Sequence, residues 1–95
     1  MYAIIRSYPD PACSRDDVVR AGRHYASVLD ALPGFLSCLI LRSENGQLSV
    51  LTLFDEKANV PAAEHLSGPA LADYLDGLPG PADCVTSEVV FQRGL

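Results

Sequence analysis

Five side chains in this 95-residue chain have the types and surroundings that chemistry on a small molecule needs. His65 carries an imidazole that can accept a proton near neutral pH without special tuning. Tyr74 and Tyr25 each place a hydroxyl on an apolar body, on helix faces expected to look inward. Asn59 can donate an amide proton to a substrate oxygen, or cap the helix expected after it. Arg6 falls in the middle of the first predicted strand, where a charge needs a carboxylate, a group from a partner chain or an anionic ligand. As a site they divide into two catalytic groups, His65 and Tyr74, and three substrate contacts, Tyr25, Asn59 and Arg6.

Each of these residues also has a plain structural role. His65 lies at the flank of the Ala62, Ala63 and Leu66 stripe, where a half-exposed surface histidine is ordinary. The tyrosines can be core aromatics, and Asn59 a cap. Glu88 on the last predicted strand is the obvious partner for Arg6, and that ion pair is favoured over an anion site. His24 sits beside the polar face of the first helix.

Other chemistries lack their residues. No Gly-rich phosphate loop follows a strand, there is no GxSxG elbow, and no two histidines or cysteines stand at ligand spacing. Neither a metal nor another cofactor is therefore expected. Cys13, Cys38 and Cys84 are odd in number and widely spaced, which fits free thiols in a reducing compartment better than a disulfide framework. Twelve acids against seven basic residues give a net charge of −5 with no Lys/Arg cluster, so a nucleic-acid backbone would be repelled. The opening MYAII ahead of Arg6 is too short for a signal-peptide core or a membrane span. The expectation is a soluble cytoplasmic protein with one domain over residues 1–95.

The elements that must position these groups follow from periodicity and turn residues. Tyr2 to Tyr8 reads as a strand, closed by Pro9-Asp10-Pro11. Ser14 and Asp17 stand at capping-box spacing, and Val18, Ala21, Gly22, Tyr25, Ala26, Val28, Leu29 and Leu32 then recur every three or four residues. That is an amphipathic helix, and Pro33-Gly34 ends it. Two strands joined by Asn45-Gly46 follow, with Leu41 expected opposite Val50, Leu39 opposite Thr52, Ile40 opposite Leu51 and Cys38 opposite Leu53. A broken helical region is predicted from about Pro61 to Gly77, then a last strand over Cys84 to Phe91. The order is βαββαβ, the split arrangement of ferredoxin-like α+β domains, with both helices on one face of the sheet.

The opposite face is a problem for 95 residues to solve, because the hairpin carries apolar side chains on both sides and Val85, Val89 and Phe91 on the last strand continue that content. Hydrophobic residues make up 48% of the chain and charged ones only 20%, so there is apolar surface to hide. A second copy packed sheet against sheet would cover it, which predicts a homodimer.

The residues resemble the antibiotic-biosynthesis monooxygenase family. The likeness runs through the short first strand, the helix ending in LPGF, the LILRSENG hairpin, LTLF before an acidic turn, and AAEHLSGPAL. It implies a ferredoxin-like subunit, a dimeric α+β barrel and a pocket between each sheet and its own helices for a small apolar or aromatic ligand. It also implies a cofactor-independent monooxygenase of a hydroxyaromatic or polyketide-like substrate; the alternative, favoured by the absence of tryptophan, is a non-catalytic dimeric module for ligand binding or assembly. Haem-degrading members, and the best-understood quinone-forming ones, use a tryptophan with an asparagine and a histidine or tyrosine. This chain has no Trp and carries His65 at that tryptophan's place.

Overall fold

The computed structural model describes residues 1–9, 14–59 and 83–94. Within them lie strand β1 (Tyr2–Tyr8), helix α1 (Arg15–Leu29), strands β2 (Phe35–Arg42) and β3 (Leu48–Phe54), a one-turn 3-10 helix (Lys57–Asn59) and strand β4 (Asp83–Glu88). The helical region expected between Pro61 and Gly77 lies outside the described residues, and so do His65 and Tyr74.

Helix α1 starts where the sequence predicts. The Ser14 hydroxyl accepts from the Asp17 N–H, and the Asp17 carboxylate accepts from the Ser14 N–H, so two of the donors that a helix start leaves unsatisfied are met reciprocally. Val18, Ala21, Tyr25 and Leu29 form its buried stripe. The chain reverses at Gly34, whose φ of 76° is open to glycine at little cost, and the Asp55 N–H donates to the Gly34 carbonyl to tie this turn to the end of β3.

The four strands form one antiparallel sheet in the order β2-β3-β1-β4. Alternation along β1 divides the two faces. Tyr2, Ile4, Arg6 and Tyr8 share the face that α1 covers, with Leu48, Val50, Thr52 and Phe54 opposite them on β3. Ile4, Tyr8, Leu48, Val50 and Phe54 pack there with Val18, Ala21, Tyr25 and Leu29 as the core. Ala3, Ile5 and Ser7 face the other way, beside Leu51, Leu53 and Val85.

Two expectations are corrected by the pairing. Leu39 stands opposite Leu51, Cys38 opposite Thr52, Ile40 opposite Val50 and Leu41 opposite Ser49, one residue from the predicted register. The cause is the loop: Ser43 N–H donates to the Gln47 carbonyl, so the connection is the three residues Glu44-Asn45-Gly46 rather than Asn45-Gly46 alone. Gly46, at φ 89°, takes the left-handed position that such loops need, and the Asn45 side chain accepts from the Gln47 N–H. The shift unites Cys38 and Ile40 with Val50 and Thr52 under the helix, and Leu39 and Leu41 with Leu51 on the open side.

The last strand is shorter than predicted. Its pairing with β1 ends at Glu88 opposite Tyr2, and only the Val89 N–H reaches further, to the Met1 carbonyl. Beyond that the neighbouring strand has run out, and Val90 and Phe91 are exposed.

Candidate functional site

Strand β1 and helix α1 bring Arg6 and Tyr25 together. Arg6 is 3% exposed and Tyr25 fully buried, and the Arg6 Nη1 donates to the Tyr25 hydroxyl at 3.5 Å, the long end of hydrogen-bond distance. Tyr25 reaches that point because its place on the buried stripe of α1 directs it at the middle of the sheet. The expected pairing of Arg6 with Glu88 is not supported by the register. Arg6 is opposite Cys84, while exposed Glu88 is opposite Tyr2, four residues and roughly 13 Å further along β4.

Tyr8 completes the group. It lies two residues from Arg6 on the same face and is 1% exposed. Burial pushes its hydroxyl above the usual tyrosine value of 10.0. The positive charge of Arg6 works against that rise, and Tyr25 and Cys84 add to it. The result is a buried cation beside two phenolic hydroxyls, that of Tyr8 held as a proton donor, with Cys84 across the strand pair. Such a cluster can stabilise an oxygen anion as charge develops on it, because donors in a dry site act more strongly than in water.

Tyr8 was not among the residues singled out from sequence. The signal was present, since in a strand any residue two away from Arg6 shares its face.

Asn59 lies elsewhere. Its side-chain amide donates to the Asp55 carboxylate at 3.0 Å, at the corner beyond Phe54, and a Cβ placed on Gly34 would run into both groups. Phe54 pairs with Tyr2, so this corner is four residues along β1 from Arg6. His24 is exposed on the outer side of α1. Arg6 and Tyr25 are thus brought together and Asn59 is set apart from them.

The remaining polar groups under the helix belong to the sheet. Thr52 is fully buried, and its hydroxyl has no hydrogen-bond partner among the described residues. Burial raises the thiol of Cys38, its cross-strand neighbour, above the usual value of 9.0. The nearby Thr52 hydroxyl offsets this in part. Cys38 and Cys84 stand on the two edge strands as free thiols. Among the described residues no group of three or more His, Cys, Asp or Glu could hold a metal ion, and no helix is long and apolar enough to cross a membrane.

No protein-family model and no curated protein matches the chain. Solved structures do. One from Bordetella bronchiseptica, assigned as an antibiotic biosynthesis monooxygenase, matches at a TM-score of 0.72 and 10% identity over 95% of this chain and 97% of its own. The heme-degrader MhuD of Mycobacterium tuberculosis, solved with two hemes in its active site, matches at 0.68 and 24% identity over 99% of this chain and 100% of its own. A dimeric ferredoxin-like protein of unknown function from Jannaschia matches at 0.63 and 18% identity over 94% of this chain and 100% of its own. The chain therefore has the ferredoxin-like α+β fold of the antibiotic biosynthesis monooxygenases, the family its residues resemble.

Proposed function

We propose that this protein is a cofactor-independent monooxygenase of a hydroxyaromatic or polyketide-like substrate, working as a cytoplasmic homodimer whose single domain spans residues 1–95. The observation that carries the reading is the buried Arg6 against the Tyr25 hydroxyl, with Tyr8 held protonated beside them. A cation and phenolic donors in a dry setting lower the cost of ionising an enol or phenol, which is the step that makes such a substrate electron-rich enough to react with oxygen.

The chemistry balances without a further reductant. A substrate methylene activated by a neighbouring carbonyl loses a proton to a base. The resulting carbanion gives up an electron pair to molecular oxygen, and a carbon–oxygen bond forms. Loss of water from the hydroperoxide then leaves a carbonyl, so CH2 plus O2 becomes C=O plus H2O. In this assignment His65 takes the proton, Tyr74 and Tyr25 donate to the oxygen that bears charge, Arg6 holds that charge, and Asn59 contacts the substrate farther along.

Haem chemistry, named for MhuD, fits the described residues poorly. His24 is exposed on the outer side of α1, so no histidine among the described residues faces the Arg6 cluster, and the chain has no tryptophan. No step is assigned to haem.

A second reading is favoured by one observation: among the described residues the cluster is a guanidinium and two phenols, with no imidazole or carboxylate beside them to serve as a base. If His65 does not supply one, the protein is a non-catalytic dimeric module that binds a small apolar or aromatic ligand. Oxygen consumption with an anthrone-type substrate separates the two. The oxygenase reading expects uptake of one O2 per quinone formed, lowered at least about a hundredfold by His65→Ala. No uptake, or turnover unchanged in both His65→Ala and Tyr74→Phe, leaves the binding module.

A further inference from the structure

A second site lies on the other flank of α1, over the edge strand β2. Two adjoining hollows of about 320 and 390 Å³ share Val18, Val19 and Ile40. Gly22, Ala26 and Cys38 continue the apolar floor of one of them. Gly22 keeps this floor open, because a Cβ there would already press to 3.2 Å from the Ile40 Cδ1. Helical spacing sets Val19, Gly22, Arg23 and Ala26 along one flank, with Tyr25 and Ala21 turned toward the other, so this groove is distinct from the Arg6–Tyr25 cluster.

The rim is cationic. Arg23 borders one hollow, and Arg15 and Arg42 border the other. These are three of the seven basic residues in a chain of net charge −5. None of the three takes part in an ion pair or a side-chain hydrogen bond among the described residues, whereas neighbouring Arg20 is bound to Asp17 at 3.2 Å. No described acidic side chain lines either hollow. Cys38, the one ionisable group in the floor, is kept as a neutral thiol by its burial and adds no opposing charge.

We infer that the α1–β2 groove binds an amphiphilic organic anion, a carboxylate carried on an alkyl or flat aromatic body. The body lies on Val18, Val19, Ala26 and Ile40, and the carboxylate takes the planar guanidinium forks at the rim, which suit that group better than lysine would. The combined volume falls in the range of small-ligand sites. This assignment does not depend on the proposed oxygenase chemistry, since it uses none of the same residues.

Amide chemical shifts of the full chain, titrated with sodium decanoate, with 2-naphthoate and with uncharged 1-decanol, test it. The expected result is saturable shifts at Val19, Gly22, Arg23, Ile40 and Arg42 with one or both anions. Binding should weaken at least about tenfold in the Arg23→Gln/Arg42→Gln double variant, whose changes are on the surface, while decanol is affected little. Which anion binds more tightly tells alkyl from aromatic. Val19→Glu should block the groove independently. The inference is overturned by shifts confined to Leu39, Leu41 and Val85 on the open sheet face, by equal affinity for decanol and decanoate, or by an unchanged affinity in both variants.

Discussion

Tyr8 shows how one buried hydroxyl ties stability to pH. Its folded-state value lies above the ordinary 10.0 because burial penalises the phenolate more than the Arg6 charge favours it. Between the unfolded and the folded value the native state holds the proton that the unfolded chain has lost, so stability falls as pH rises. The contribution is complete below pH 10 and is lost as pH climbs through the folded value. Tyr8→Phe removes this dependence and should flatten the decline in unfolding free energy between pH 9.5 and 11.5, read by urea denaturation; equal slopes for the two proteins would refute it. Cys38 gives a parallel loss starting nearer pH 9.0, so the comparison is cleanest in a Cys38→Ala background. At this scale the sequence marks Arg6 and Tyr25 as inward-facing polar groups. Their partnership stays hidden until the helix is laid on the sheet. Tyr8 was legible in principle from alternation alone, but nothing local says that a tyrosine near a strand end is fully covered.

Among the elements, α1 is the one whose limits can be read most directly, because both cap residues are local in sequence. Ser14→Ala removes the acceptor for the Asp17 N–H and breaks the reciprocal pair. It should cost about 1 kcal/mol of stability in chemical denaturation, with Ser14→Asp close to neutral. No loss in Ser14→Ala would mean that water replaces the cap without penalty. The hairpin behaves differently. Asn45-Gly46 announces a reversal, but the choice between a two- and a three-residue loop depends on whether Ser43 and Gln47 close the last pair, and here they do. That single hydrogen bond sets which leucines lie under the helix and which face outward. The end of β4 was equally beyond local reading: Val89, Val90 and Phe91 have strand-forming side chains, but the partner strand stops at Tyr2.

For the molecule as a whole, the sequence is enough for the class of fold, since the element order and the two-faced hairpin leave few topologies open. It also foretells an unsolved surface, and the described residues carry one. Leu39, Leu41 and Val85 are 39%, 54% and 51% exposed on the sheet face opposite α1, with Ile5 and Leu51 half-buried between them. An apolar patch of this kind on a small protein marks an interaction surface, and an identical face on a second copy would match it in chemistry. The two-copy reading can be tested with charges placed where they harm the subunit least. Leu41 and Val85 are already half in water, so Leu41→Asp/Val85→Asp should change subunit stability by no more than about 1 kcal/mol. In a sheet-to-sheet dimer the same change would bury four unpaired carboxylates at once, which association cannot offset. Native mass spectrometry and sedimentation at micromolar concentration should therefore give a dimer for the unaltered chain and a folded monomer for the double variant, with circular dichroism unchanged. If the unaltered chain is monomeric, or the variant still pairs, the open face is not the interface. The exposed tail at Val90 and Phe91 would then be the next apolar surface to test by the same substitutions.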